Sequence, residues 1–343
     1  MHTHDTMVKS CNPQGRDPLW DNLKLLAMVC IIFRHSILQY SASWYPYVWT
    51  PMMFAMPAFC FVSGRMFRQR TIVDSAKSYL WPCMLFTVLL WGWGQLFYPP
   101  MKGRLPEAII VGPAMWYLLA LFFWQIITPY ILRFNIWAVL ATSIVVGCLA
   151  GFVPWIGIEF QVSRLICFYP YFILGIATKQ WSPSVRTHRN QWLLWGAVFC
   201  ALCFAYYFLH MRYPRLVFHV VMKEGYPISY KWPIIRLFTY AMGIAMTFCV
   251  VNILSGIGDI RLPVLGRISR FGARTMSPYL LHMFVIMPIC YTIAERHLYE
   301  PIGYFLTILA APLLCIPFFG GTAGKIVDKM LHPSFHRHNR SWN

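Results

Sequence analysis

Long apolar runs separated by short polar segments form most of this chain. Ten of these runs approach the length that crosses a bilayer. They predict helices at about 23–41, 48–66, 78–98, 112–132, 134–153, 163–179, 191–210, 232–254, 275–294 and 301–319. The second run contains Pro57 and the sixth is short, so each is expected to kink or to pair closely with a neighbouring helix. The pattern predicts an all-α fold, a polytopic membrane helix bundle with about ten transmembrane helices.

Polar segments flank this membrane region at both ends. They predict a polar N-terminal segment at 1–20, a membrane domain at 21–322 and a polar, amphipathic tail at 323–343. The first twenty residues contain no apolar core of a signal peptide, so the first apolar run is expected to be an uncleaved anchor. The glycine-rich run 320–325 lacks the spacing of a phosphate-binding loop and is expected to end a helix.

The composition excludes several classes of protein. Only 12% of the residues are charged and 58% are hydrophobic, which rules out a soluble domain of this size. The net charge of +18 is explained by basic loops that face an anionic leaflet, so no nucleic-acid partner is expected. Most of the 11 cysteines lie inside apolar runs, where cysteine acts as a small hydrophobe, and neither disulfides nor a metal site is predicted.

The distribution of lysine and arginine predicts the orientation. If the N-terminus is inside, 18 of these residues lie in cytoplasmic segments and seven on the opposite side. Both termini are therefore predicted to be cytoplasmic. The membrane would be the plasma or inner membrane of a bacterium or an organelle membrane of a eukaryote, and a homo-oligomer is compatible with the sequence.

Four basic residues and two histidines among those inside the predicted spans are candidates for function. They are Lys24, Arg34, His35, Arg164, Arg236 and His282. Ionisable groups are costly within a membrane, so each is a candidate functional residue. The alternative for Arg164 is snorkelling to the membrane surface, and the alternative for His282 is a hydrogen bond between helices. Arg236 lies deeper in its span and is less easily explained by snorkelling.

The first predicted helix carries the most informative pair of residues. Lys24 and His35 are eleven positions apart, so they share one helical face with Met28 and Gln39 and lie about 16 Å apart along the axis. A neutral imidazole, with its usual pKa of about 6.5, can accept the proton of a hydroxyl that attacks an acyl carbon. The alternative is a histidine that only binds a neighbouring helix. The lysine on the same face and the adjacent Arg34 favour function.

Two further segments have both a functional and a structural interpretation. Arg65, Arg68 and Arg70 end the second predicted helix and are suited to bidentate phosphate binding, although ordinary anchoring at the cytoplasmic face also explains them. The aromatic run 116–124 is explained by packing or by an interfacial belt.

Five motifs in this order resemble the acyltransferase-3 family of integral membrane acyltransferases, especially its fucose 4-O-acetylase-like branch. They are DNLK at 21–24 with His35 beyond it, PAFCFVSGRMF at 57–67, MWYLLALFFW at 115–124, SRLICFYPYFILG at 163–175 and SPYLLH at 277–282. The resemblance covers roughly residues 17–320. The family's signature of a basic residue, ten residues and a histidine falls on Lys24 and His35. Arg34 and Arg65 depart from the family pattern, which has a small residue before the histidine and an aromatic residue after Ser-Gly.

The resemblance implies a ten-helix bundle that moves an acyl group, which we expect to be acetyl, from cytoplasmic acyl-CoA to a carbohydrate hydroxyl. It implies that His35 is the catalytic base, with Lys24 on its face. We expect Arg65, Arg68 and Arg70 to bind the CoA phosphates. We expect Arg34, Arg164, Arg236 and His282 to stabilise an oxyanion or to position substrates. Acyl-CoA is then a co-substrate, and no bound cofactor is needed.

Two other functions remain as alternatives. A transporter or exporter of an anionic solute would use the embedded arginines as a path, but the chain shows no inverted repeat of broken spans and few embedded acids. The nearest acids, Glu159 and Glu295, lie near outer span ends. A structural scaffold leaves Lys24 and His35 unexplained.

Overall fold

The described part of the protein is a bundle of helices. A computed structural model describes residues 17–37, 50–97, 115–153, 156, 161–180, 191–212, 231–258, 270–295 and 305–331, and these residues form no strand. The helices are α1 (Pro18–Ile37), α2 (Ala55–Arg65), α3 (Ile72–Phe97), α4 (Trp116–Ile131), α5 (Ile136–Leu149), α6 (Val162–Ala177), α7 (Gln191–Arg212), α8 (Lys231–Gly258), α9 (Met276–Glu295), α10 (Ala311–Leu314) and α11 (Gly321–Leu331). A 3₁₀ turn (Thr50–Met52) precedes α2, and a π-helical turn (Phe305–Ala310) leads into α10.

Each predicted span overlaps described helical residues, and the all-α membrane fold is confirmed. Three helices, Ile72–Phe97, Gln191–Phe208 and Trp232–Ile257, are long and apolar enough to cross a membrane. Four shorter apolar helices accompany them, at Trp116–Ile131, Ile136–Phe152, Val162–Ala177 and Met276–Ile289. The chain is an integral membrane protein. The count of ten crossings stays a prediction.

Local capping explains where the helices begin. The Asp17 side chain accepts a hydrogen bond of 3.0 Å from the Leu19 N–H, and Pro18 supplies the first helical residue. α1 therefore starts five residues before the apolar run at 23–41. Asn135 caps α5 in the same way, because its side chain accepts from the N–H groups of Trp137 and Ala138.

The second and sixth predicted spans pair closely, which is one of the two outcomes expected for them. Pro57 lies in the first turn of α2, where its missing N–H breaks no helical hydrogen bond. α2 and α6 cross where Gly64 faces Gly175. A methyl group added to either glycine would overlap backbone atoms of the other helix, so only glycine allows this approach.

Several helix ends predicted to be cytoplasmic meet at one end of the bundle. Lys179, beyond the end of α6, donates a hydrogen bond of 2.9 Å to the Phe67 carbonyl, beyond the end of α2. Gly272 packs against the backbone of Asp21 near the start of α1. These contacts place the predicted inner ends together, while their location in the cytoplasm stays a prediction.

The C-terminal part of the described chain corrects one expectation. The glycine run at 320–325 is expected to end a helix; Gly320 does end a 3₁₀ helix (Ile316–Phe319), but the rest of the run begins α11 at Gly321. α11 buries Val327 and Leu331 against the bundle and is amphipathic, as expected for the tail. It crosses the predicted domain boundary at 322. The expected polar tail beyond 331 lies outside the described residues, as do Gln39 and Glu159.

Candidate active site

Two histidines from different helices face each other. His35 lies in the last turn of α1, and His282 lies in the second turn of α9. Their ring centroids are 5.3 Å apart, with the rings tilted by 44°. His35 is half-buried, whereas His282 is only 1% exposed. His35 is therefore the more exposed residue of the pair.

Three hydroxyl groups extend from the buried histidine towards α2. The rings of Tyr279 and His282 lie 6.2 Å apart on the same helix. The Tyr279 hydroxyl accepts a hydrogen bond of 3.3 Å from the backbone N–H of Tyr117. The hydroxyl of Tyr117 is hydrogen-bonded in turn to that of Ser63. Because α2, α4 and α9 each contribute one of these hydroxyl groups, the contacts fix three helices around one point.

One cation close to this group of residues is Arg164. Its guanidinium lies 5.6 Å from the ring centroid of Trp116 and within electrostatic range of both His35 and Tyr279. Gln161, the residue before α6, has a left-handed φ of 57°. That sharp turn sets the first turn of α6, which carries Arg164.

Two helix N-termini lie close together, because Arg164 in the first turn of α6 contacts Trp116 at the start of α4. α4 begins at Trp116 and α6 at Val162, and the residue before each makes no side-chain capping bond. The N–H groups of a first helical turn carry partial positive charge. The N–H of Tyr117 is one of them, and it already donates to the Tyr279 hydroxyl. Together with Arg164 they form a region that favours negative charge.

Arg236 lies in a neighbouring group of residues. It is 3% exposed and within electrostatic range of the hydroxyls of Tyr171, Tyr206 and Tyr240, which come from three different helices. Arg34 is within electrostatic range of both His35 and Tyr206, so it connects this group with the histidine pair.

Lys24 lies on α1 with His35, as predicted, but it does not belong to the same site. Its ammonium group forms an ion pair of 2.7 Å with the Asp21 carboxylate, one turn earlier. Eleven positions on one continuous helix place Lys24 about 16 Å from His35 along the axis. The charge of Lys24 therefore lies near the N-terminus of α1 and away from His35.

The three arginines after α2 have different environments. Arg65 donates to the carbonyls of Thr178 and Lys179 at the end of α6, and its guanidinium stacks 4.1 Å above the Trp20 ring. These contacts use the donors that a phosphate would need, which differs from the prediction for Arg65. Arg68 is exposed, and Arg70 donates a hydrogen bond of 2.9 Å to Ser78.

Arg70 also borders a small polar cavity. The cavity is about 170 Å³ and is lined by Arg70 and Arg133 together with Gln69, Gln125 and Tyr130. Gln125 is 5% exposed, and its Oε1 has no hydrogen-bond partner among the described residues. Two arginines and an amide in one cavity are suited to bind a phosphate group.

A comparison with protein families identifies the family of this chain. A family model described as an acyltransferase domain, that of the acyltransferase-3 family, matches residues 18–321. The chain belongs to the acyltransferase-3 family. The match covers all the candidate residues above. It identifies the family but not the fucose 4-O-acetylase-like branch within it. Neither the curated proteins nor the solved structures contain a match.

This membrane acyltransferase contains functional candidates that sequence reasoning missed. From the sequence, Tyr117 belongs to an aromatic run explained by packing, and Tyr279 and Ser63 have no role of their own within their motifs. Arg133 was counted as an ordinary cytoplasmic charge. Tyr117, Tyr279 and Ser63 lie inside motifs of the family, which is the available signal, whereas Arg133 lies outside them. Their convergence depends on contacts between distant helices.

Proposed function

We propose that this acyltransferase moves an acyl group, acetyl in the first instance, from acyl-CoA to a hydroxyl of a carbohydrate. His35 is the general base. The observation that carries the proposal is the imidazole of His35, which faces His282 and lies within electrostatic range of Arg164. A base next to hydrogen-bond donors is the combination that acyl transfer needs.

The reaction follows from the roles of these groups. His35 takes the proton of the acceptor hydroxyl as the oxygen forms a bond to the acyl carbon of the thioester. Arg164 and the first turns of α4 and α6 stabilise the negative charge that develops on the carbonyl oxygen. The carbon–sulfur bond then breaks, and the imidazolium returns its proton to the thiolate of CoA.

We assign the donor's phosphates to the cavity between Arg70 and Arg133, with Arg68 beside it. This assignment keeps two of the three predicted arginines and adds Arg133. Arg65 has a structural role instead, because it holds the end of α6 and stacks on Trp20. Lys24 and its ion pair with Asp21 stabilise the start of the helix that carries the base.

We place the acceptor on the side of Arg34 and Arg236. Arg34 is half-buried and within electrostatic range of both His35 and Tyr206, so it lies between the base and the buried group around Arg236. A carbohydrate acceptor agrees with the resemblance to the fucose 4-O-acetylase-like branch.

The test is transfer of labelled acetyl from acetyl-CoA to candidate glycans by membranes that contain the protein. His35→Ala should lose about 10²–10⁴-fold in rate, the usual contribution of a general base. The matched control is Cys30→Ala, which removes a half-buried free thiol from the same helix and should retain full activity. Equal transfer by wild type and His35→Ala would refute the role of His35.

The protein in proteoliposomes tests the transporter alternative. Proteoliposomes that move an anionic solute, but neither consume acetyl-CoA nor release CoA thiol, would favour a transport path along Arg34, Arg164 and Arg236. Acetyl transfer without solute flux supports the enzyme.

A further inference from the structure

The hydrogen bonds of His282 define which of its nitrogens carries the proton. Nδ1 lies 2.9 Å from the carbonyl oxygen of Pro278 and 2.8 Å from that of Tyr279. A carbonyl oxygen can only accept a hydrogen bond, so Nδ1 must donate the proton. The neutral ring therefore has its lone pair on Nε2.

That lone pair is buried and accepts no hydrogen bond from the described residues. Nε2 of His282 has no hydrogen-bond partner among the described residues, although the side chain is 1% exposed. A buried polar atom without a partner costs about 1–3 kcal/mol and calls for an explanation. The ring that faces His282 is the proposed base, His35, at a centroid distance of 5.3 Å.

We infer that His282 is a positioning residue that fixes the tautomer of His35 by accepting a hydrogen bond from its ring N–H. This inference rests on the proposed function. The order of exposure supports it, because His35 is the more exposed residue of the pair and His282 is only 1% exposed. Hydrogen bonds of catalytic groups are often long without substrate and shorten in the reactive complex.

The consequence is a directed row of hydrogen bonds. The carbonyls of α9 hold the Nδ1 proton of His282, and Nε2 of His282 holds one N–H of His35. The other nitrogen of His35 then presents its lone pair to the acceptor hydroxyl. During transfer the hydroxyl proton goes to His35 and then to the leaving sulfur, while His282 neither gains nor loses a proton. The groups that face the pair from the packed helices are Arg34, Arg164 and Tyr279.

Two substitutions separate an acceptor role from a packing role. His282→Phe keeps the ring shape but removes both nitrogens, and it should lower kcat by about 10²-fold or more with little change in KM for acetyl-CoA. His282→Gln places an amide oxygen near the position of Nε2 and should keep activity within about tenfold of wild type. Thr292→Val is the control, because it removes another side-chain bond to a carbonyl of α9 and should be fully active.

A spectroscopic measurement reports the tautomer directly. In protein labelled with ¹⁵N-histidine, we expect one neutral tautomer for His35 in wild type and in His282→Gln. We expect a mixture in His282→Phe. This measurement does not need turnover, so it holds even if a variant is inactive.

The outcomes are distinct. Activity lost in His282→Phe and retained in His282→Gln, with the tautomer following the same order, supports the inference. Full activity in His282→Phe, or equal loss in both variants with one unchanged His35 tautomer, overturns it. An active His35→Ala would instead overturn the proposed function. Variants that fail to fold are recognised because their buried thiols become exposed. If His282→Phe fails to fold, a single His35 tautomer in His282→Gln supports the inference and a mixture overturns it.

Discussion

The contact between Gly64 and Gly175 is the most sharply testable feature of the fold. In Gly175→Ala, the new methyl group would overlap the Phe61 carbonyl oxygen and lie 2.9 Å from the backbone N of Arg65. Ordinary contacts of a Cβ atom begin at 3.4 Å. Backbone atoms cannot move aside by changing a rotamer, so α2 and α6 must separate.

The expected cost follows from overpacking. An extra methyl group in a well-packed core typically costs about 1–3 kcal/mol, and rigid neighbours place this substitution at the upper end. The substitution also gains about 1 kcal/mol of helix propensity. Gly92→Ala on α3 shares that gain, because a Cβ there meets no atom within 4 Å. The difference between the two variants therefore isolates the clash.

The assay is thermal unfolding of the purified protein in detergent with a thiol-reactive dye. Buried free cysteines such as Cys60 and Cys167 react only when the bundle opens. We expect Gly175→Ala to unfold several degrees below wild type and Gly92→Ala at or above it. Acetyl transfer should fall as well, because Ser63 lies next to the contact. Equal unfolding temperatures and equal activity in both variants would refute the reasoning.

Three other predictions follow from the same structure. Arg133→Gln should raise the KM for acetyl-CoA about tenfold, the loss of one charged hydrogen bond, with kcat unchanged in steady-state kinetics; an unchanged KM would remove Arg133 from donor binding. Arg65→Met should instead lower the unfolding temperature and leave that KM unaltered, because its donors bind Thr178 and Lys179; the opposite pattern would restore Arg65 as a donor ligand. Asn135→Ala should cost about 1 kcal/mol through loss of a helix cap, measured in the same thermal assay, and Asn135→Asp, which keeps an acceptor oxygen, should unfold close to wild type.

The helices could be predicted from sequence because burial in a bilayer demands continuous apolar runs. Their starts were less predictable, since capping by Asp17 and Asn135 depends on single polar residues outside the runs. His35 was found because an ionisable group inside a membrane is conspicuous in a sequence.

The contacts between distant helices could not be predicted. The hydrogen bond between Tyr117 and Tyr279 joins residues 162 positions apart, and no periodicity indicates it. The same is true of the contact between Gly64 and Gly175, because the expectation that the second and sixth spans pair closely rested on Pro57 and on a short span and named neither glycine. Arg65 illustrates the converse, because its charge suggested a ligand while the structure uses it to hold a helix end.

The way in which α2 is held also bears on the choice between enzyme and transporter. Alternating access requires one group of helices to rock against another. α2 is fixed at the glycine contact with α6, by Arg65 at the end of α6 and by Ser63 at Tyr117. Rocking of α2 against α6 would break the backbone contact and the hydrogen bonds of Arg65 together. Acyl transfer has the opposite requirement, because small displacements of a base from its target reduce the rate strongly. A helix held in this way beside the histidine pair therefore suits catalysis at a fixed site.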